Sequence, residues 1–479
     1  MEAKAAALDS AAIGEFVNRI WDDEITQELA DYIAIPCLSP LFDPEWAANG
    51  HLQKAVEHIA GWCSKRDIEG LKLDVIQLEG RTPVIFMEIP GESDDTVLMY
   101  GHLDKQPEMV GWREDLGPWK PVIEDDKLYG RGGADDGYAA YASLTAIEAV
   151  QKHGGSHQRI VVLIEACEES GSVDLPAYID HLSDPSNNRL GDVSLVVCLD
   201  SGAGDYERLW CTTSLRGMVA GDLKVRVSTQ GVHSGGASGV MPSSMRVIRQ
   251  LLNRIEDAET GHLIPDCFHA DVPQQRKDQA QDCADILGDG VYTEFPFADG
   301  VQPMHTDHAQ LVLNKTWVPT LSYTGIGGMP ALANAGNVLR PFTAMKLSFR
   351  LAPTADAAAC NEVVKNILET DPPSGAQVSF KADKYANGWN AAPLADWLAD
   401  VLEKSSRDYF GNPTAYMGEG GSIPFMGMLG EKFPEAQFLV TGVLGPASNA
   451  HGPNEFIHLP TAKKLTACVA HVLVAHTQR

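Results

Sequence analysis

The chain has 479 residues, with 65 acidic against 37 basic side chains and a formal net charge of −28. Such a surface repels phosphate backbones and argues against nucleic acid as a partner, yet it does not oppose metal cations. At this length two domains are expected, and 44% hydrophobic with 21% charged residues is an ordinary globular balance.

The opening stretch MEAKAAALDSAAIGEF has no basic segment followed by a long apolar one, so no signal peptide is expected. No run approaches 18 uninterrupted apolar residues, so no membrane span is expected. Nine cysteines are scattered without a CxxC pair, which suits reduced thiols in a cytoplasm. Residues 12–34 have helical spacing. Short apolar runs follow, LKLDVIQL, PVIFMEI, TVLMYG, RIVVLIEA and VSLVVCLD, with the alanine-rich helix pattern YAAYASLTAIEAVQKH among them. Strands mixed with helices predict an α/β domain.

After Cys211 the pattern changes. Strands are expected at residues 217–229, 319–323, 344–351 and 376–384, with helices at 243–257 and 356–370. That order, β-α-β-β-α-β, is the ferredoxin-like unit. An acidic Gln/Asp-rich insertion at about residues 265–308 interrupts it and is expected as a surface elaboration or an interface. From Pro393 the α/β character returns, with a helix to about Arg407, the run AQFLVTG and a closing helix from Thr461 to about His476. The expected organisation is therefore one mixed-sheet α/β domain, residues 1–212 and 390–479, with a second domain, residues 213–389, inserted into it.

The chemistry gathers at the ends of the apolar runs. In VLMYGHLDKQPE, His102 and Asp104 lie two apart on a strand and share a face, so they can touch. An aspartate can hold one imidazole nitrogen while the other meets a metal; a capping pair at a strand end is the alternative. YGRGGADDGY offers Asp135 and Asp136 in a glycine-rich turn, which could bend past an ion or form a tight acidic turn or helix cap. In VVLIEACEESGS, Glu168 and Glu169 diverge along the chain, so one could bind a cation while the other moves a proton; two solvated loop glutamates are the alternative. Asp200 ends the run VSLVVCLD, where a buried carboxylate needs a partner or a metal. His451, in NAHGPNE, is a loop histidine. Together these five, His102, Asp135, Glu169, Asp200 and His451, are imidazoles and carboxylates without cysteine. That set suits Zn²⁺, Mn²⁺ or Co²⁺, and it is enough for two ions if one carboxylate bridges.

Taken in order, GHLDKQPE, LYGRGGADDG, EACEESGS, CLDSG, GVHSG, LSFRLAP, GEGGSIP and NAHGPNE resemble the M20 metallopeptidases, and most nearly their carnosinase-like dipeptidase branch, over nearly the whole chain. The resemblance implies a di-metal hydrolase domain and makes the inserted ferredoxin-like unit a lid and dimerisation domain. It implies that His102, Asp135 and Asp200 hold one ion and Asp135, Glu169 and His451 the other, with Zn²⁺ the first candidate and Mn²⁺ or Co²⁺ the alternatives. Asp104 would orient His102, and a cis peptide would fall at Asp135–Asp136. Glu168 would take a proton from a metal-activated water and deliver it to the leaving amine. His233 would stabilise the oxyanion from the neighbouring subunit of a homodimer. Arg350, Asn337, Gly421 and Ser422 would hold a substrate carboxylate, Arg350 in bidentate fashion.

The chain departs from the family pattern at Gly137-Tyr138, which replace a usual lysine after the aspartate pair, and at the small residues of GVHSGGASG. The implied activity is hydrolysis of dipeptides or short peptides with a free C-terminal carboxylate. An amidase or deacylase acting on N-acyl amino acids through the same ions is the alternative. A non-catalytic binding protein on the same fold would be expected to lack Glu168 or a ligand, and none is missing.

Overall fold

The structure, a computed structural model, describes residues 8–479; the stretch read for a leader begins outside them, at positions 1–7. In chain order, β1 (Lys72–Ile76), β2 (Val84–Ile89) and β3 (Asp95–His102) precede a short hairpin, β4 (Val122–Glu124) and β5 (Lys127–Tyr129). Next come β6 (Arg159–Glu165), β7 (Asp192–Cys198) and β8 (Trp210–Leu215), the last running almost directly into β9 (Gly217–Arg226). The chain continues through β10 (Val232–His233), β11 (Thr320–Gly327), β12 (Val338–Leu339), β13 (Phe342–Leu351), β14 (Gln377–Ala386) and β15 (Trp389–Asn390). It closes with β16 (Ala415–Glu419), β17 (Gln437–Val440) and β18 (Phe456–His458).

A six-stranded mixed sheet has the order β1-β2-β6-β3-β7-β17. Its central strands β6, β3, β7 and β17 are parallel, while β1 and β2 form an antiparallel edge. Parallel strands covered on both faces need apolar side chains on both, and β3 meets that need. Val97 and Met99 join one core; Leu98 and Tyr100 join the other. Helices Ser10–Ile20, Ala139–Lys152 and Leu459–His476 cover the first face, and Leu175–Leu182 with Pro424–Lys432 the second. The helix expected at 12–34 is two α-helices, Ser10–Ile20 and Thr26–Ile33, joined by a π-helical turn at Trp21–Ile25.

A second sheet is four-stranded and wholly antiparallel, in the order β11-β13-β9-β14. Helices Ser244–Leu252 and Ala357–Glu369 supply Val247, Ile248, Leu251, Val364 and Leu368 to a core with Val219, Leu223, Leu347 and Phe349. Between Leu252 and β11 lie three further α-helices, Gln274–Leu287, Gly290–Thr293 and His308–Thr316. Smaller sheets are β15-β8-β16, β18-β5-β4 and the β10-β12 pair. All nine cysteines are free thiols. Among the described residues no helix is long and apolar enough to cross a membrane.

Candidate metal centre

Parallel strands deliver their carboxyl ends to one edge of the sheet, where open α/β folds bind ligands. β3 ends at His102, directly opposite Glu165 at the end of β6. Glu168 and Glu169 follow three and four residues later in a 3₁₀ turn, and Asp200 lies two residues beyond β7. Asp135 enters from the turn Gly133–Gly137 that leads into helix Ala139–Lys152, and His451 comes from the loop before β18. Gly101 makes the approach of that turn feasible. A Cβ there would lie 2.4 Å from Ala139 Cβ and 2.7 Å from Asp136 Oδ2, and Asp136 Oδ2 accepts the His102 backbone N–H at 3.3 Å.

Two groups of three side chains that could hold a metal ion result, His102–Asp135–Asp200 and Asp135–Glu169–His451, with the donor atoms of each group within 4.8 Å of one another. Asp135 is common to both and turns one oxygen to each side. Its Oδ1 is 3.3 Å from His102 Nε2, and its Oδ2 is 3.0 Å from His451 Nε2. His102 Nε2 is also 3.8 Å from Asp200 Oδ2, and His451 Nε2 is 3.4 Å from Glu169 Oε2. The Asp135–Asp136 peptide is cis.

The surroundings hold these groups in place. His102 Nδ1 lies 3.1 Å from the Asp104 carbonyl and 3.5 Å from its carboxylate. The same carboxylate accepts the backbone N–H of Glu168 and of Glu169, each at 3.0 Å, so one buried aspartate fixes both the histidine and the Glu-Glu turn. Gln106 Nε2 donates to Glu169 Oε2 at 2.6 Å. Beneath them Glu165 accepts from Tyr100 and Ser172, and burial pushes its carboxyl up to about 8. Burial likewise raises Glu168 and Glu169, and pushes Asp200 up to about 6. It would raise Asp135 too, but His102 and His451 hold that carboxyl well below the usual range.

This donor set fits divalent cations. Among the described residues no lysine or arginine pairs with Asp135, Glu168, Glu169 or Asp200; the ion-pair partners that Asp135, Glu169 and Asp200 do have are His102 and His451. Buried carboxylates in such number require positive charge, and hard oxygen with imidazole donors suits a first-row divalent ion.

The cluster floors a cavity of about 660 Å³ that also exposes Gly421 and Ser422. Ser422 Oγ accepts from Arg350 Nη1 at 3.1 Å, so three of the expected carboxylate contacts lie together. The other two expected groups are elsewhere. His233 is exposed on β10 beside Asn337, whose carbonyl accepts the Ser234 N–H at 2.9 Å. Neither His233 nor Asn337 lines the cavity or bonds to the ligand cluster within this chain.

Several site residues were not singled out from the sequence. The insertion, expected as a surface elaboration or an interface, also lends Leu287, Thr293 and Glu294 to the cavity wall, and Lys315 just beyond it pairs with Glu294 at 2.5 Å. Its long helix buries Arg276, Ala280, Cys283 and Ala284, a stripe too small and polar to read as amphipathic. Arg131 and Glu455 form an ion pair, 1% and 0% exposed, between the two ligand-bearing loops. Both sit inside the motifs YGRGG and HGPNE, beside the ligand candidates Asp135 and His451, and that position is the signal the sequence carries for them.

Residues 98–475 match the family model described as Peptidase family M20/M25/M40. A cysteinylglycine-S-conjugate dipeptidase of Corynebacterium striatum is 26% identical over 95% of this chain and 94% of its own length. The human Beta-Ala-His dipeptidase is 26% identical over 91% and 87%. Among solved structures, the dipeptidase Dug1p from Saccharomyces cerevisiae superposes with a TM-score of 0.77 at 20% identity, over 99% of this chain and 100% of that one. Human carnosine dipeptidase 1 gives 0.75 at 20% identity, over 98% and 99%. This chain belongs to peptidase family M20/M25/M40 and is a metallopeptidase.

Proposed function

We propose that the protein hydrolyses dipeptides and short peptides bearing a free C-terminal carboxylate, using two divalent ions held by His102, Asp135 and Asp200 and by Asp135, Glu169 and His451. The observation that carries this reading is the sharing of Asp135 between two ligand groups, one oxygen to each histidine. The activities for which the relatives are named, cysteinylglycine-S-conjugate dipeptidase and Beta-Ala-His dipeptidase, favour dipeptides over N-acyl amino acids. Zn²⁺ is the first candidate, with Mn²⁺ and Co²⁺ as alternatives. Nine free thiols suit a cytoplasmic setting.

When bound, such ions supply Lewis acidity, which lowers the pKa of water and polarises a carbonyl. The chain's own residues do the rest. Glu168, half-buried beside the cluster, accepts a proton from water as the water oxygen bonds to the scissile carbonyl carbon. It returns that proton to the amine nitrogen as the C–N bond breaks. Asp104 keeps His102 and the Glu168–Glu169 turn in register. Arg350, Ser422 and the Gly421 backbone hold the terminal carboxylate; Asn337, which lies beside His233, would join them only from a second copy.

Residues 213–389 are read as an inserted lid with the ferredoxin-like order βαββαβ, supported by the antiparallel sheet β11-β13-β9-β14 and its two helices. Val338, exposed and paired with His233 across β10 and β12, and Tyr323 and Ile326, exposed on the edge strand β11, support a homodimer in which a second copy brings His233 to the oxyanion.

The test is a panel of dipeptides, N-acetyl and N-succinyl amino acids, with Zn²⁺, Mn²⁺ and Co²⁺ added separately, on wild type and Glu168→Ala. Dipeptides should be preferred, and the variant should lose about 10²–10⁴-fold in kcat while still binding metal. Preference for the acyl substrates would reject the peptidase reading, and unchanged turnover in Glu168→Ala would reject the general base.

A further inference from the structure

Arg216 is the one residue between β8, in a sheet beside the catalytic core, and β9, in the antiparallel module. Its side chain is 8% exposed, and among the described residues no carboxylate pairs with it. Four oxygens take its protons instead. Nε donates to the Gly420 carbonyl at 3.2 Å. Nη1 faces the carbonyls of Val318 and Asn314 and the Thr320 hydroxyl, at 3.1, 3.3 and 3.2 Å. One guanidinium thus ties together the crossover, the end of helix His308–Thr316, the start of β11 and the GEGGSIP loop.

The backbone of Arg216 belongs to the same network. Its carbonyl accepts from Ser422 Oγ, which in turn accepts from Arg350 Nη1. Arg350 also has no carboxylate partner among the described residues. A buried cation without an anion is costly, and here two lie close together: burial and the charge of Arg350 push Arg216 down to about 10. Both gain if an anion arrives at Ser422.

We propose that Arg216 is the positioning residue of the carboxylate subsite: without touching substrate, it fixes the Gly420–Ser422 loop and adds a second positive charge behind Arg350. This rests on the reading of Arg350 and Ser422 as the contacts for a peptide's C-terminal carboxylate.

The test measures kcat and KM for a dipeptide and for the same dipeptide as its C-terminal amide, in wild type, Arg350→Met, Arg216→Met and Arg216→Lys. Wild type should favour the acid, and Arg350→Met should abolish that preference. Arg216→Met should raise KM for the acid about tenfold or more, with a smaller change in kcat and a smaller loss for the amide. Arg216→Lys, which keeps the charge, should recover part of the preference. If Arg216→Met fails to fold, Arg216→Lys decides alone: it keeps the charge but not the forked donors, so KM for the acid should still rise, and rise more than for the amide. Equal losses for acid and amide, or an unchanged KM, overturn the proposal. If Arg350→Met loses the preference while Arg216→Met keeps it, Arg216 alone is refuted. If wild type never favours the acid, the carboxylate reading itself fails and the proposal falls with it.

Discussion

Replacing Arg131 by methionine will destabilise the protein and loosen its grip on metal together. Arg131 Nη1 pairs with Glu455, Nη2 donates to the Gly452 carbonyl at 2.8 Å, and Nε donates to the Pro107 carbonyl at 3.2 Å. Glu455 Oε1 accepts the Gly132 N–H at 2.7 Å, and the Glu455 carbonyl accepts the Gly130 N–H at 2.9 Å. The pair therefore clamps the turn that presents Asp135 to the loop that presents His451. Methionine removes three hydrogen bonds and leaves a fully buried carboxylate without its cation, which costs about 3–5 kcal/mol. Glu455→Gln strands the guanidinium instead and should cost a similar amount. The double variant should lose less than the sum of the singles by about 2 kcal/mol, because each single already breaks the shared pair. Urea unfolding of metal-free protein measures the cycle, and calorimetric titration with Zn²⁺ should show Kd weakened about 10- to 100-fold in each single variant. Singles that add within about 0.5 kcal/mol, or a Kd that does not move, would refute the clamp.

Removal of metal by a chelator should stop hydrolysis, and one of Zn²⁺, Mn²⁺ or Co²⁺ should restore it; at 100 times its Kd each ion should stabilise the fold by about 2.7 kcal/mol, read as a rise in Tm. Full turnover by chelated protein shown to be metal-free would contradict the site. Gly101→Ala forces a methyl within 2.4 Å of Ala139 Cβ and should cost about 1–3 kcal/mol in urea unfolding. A neutral outcome would mean that the turn carrying Asp135 and Asp136 moves freely. His471, packed in the core with Tyr409 at 2.8 Å, is pushed down to about 4, by burial first and then by Lys404, against the pull of Asp408. Its folded pKa lies below the unfolded value, so the unfolded chain binds the proton more readily. The contribution is complete above about pH 6.5 and is lost as pH falls toward 4, at up to about 1.4 kcal/mol per pH unit. His471→Gln should show a shallower loss of stability between pH 6 and 5; parallel slopes would remove the assignment.

Much of the candidate centre was legible in the sequence because its ligands are anchored locally. A wholly apolar strand such as Val97–Tyr100 must be covered on both faces, so polar residues at its carboxyl end face a crevice, and His102, Glu169 and Asp200 inherit their direction from strands. Their residue types fix which cations fit. The helix Gln274–Leu287 was not legible, because its buried stripe consists of Ala280, Cys283, Ala284 and the stem of Arg276 rather than large apolar residues. Arg216 carries no local sign at all: its role comes from the Gly420, Asn314 and Val318 carbonyls, about 100 and 200 residues away in the chain.

The amino-acid sequence by itself determined which donor types the candidate centre can offer a cation, the parallel core that presents them and the family to which the chain belongs. Periodicity and side-chain type act over a few residues and are visible there. Which groups wall the cavity, which buried charges clamp its loops, and why His233 and Asn337 stand apart from the metal cluster within one chain were decided by tertiary packing. Contacts between distant segments depend on how whole elements meet, and no short stretch of sequence records that meeting.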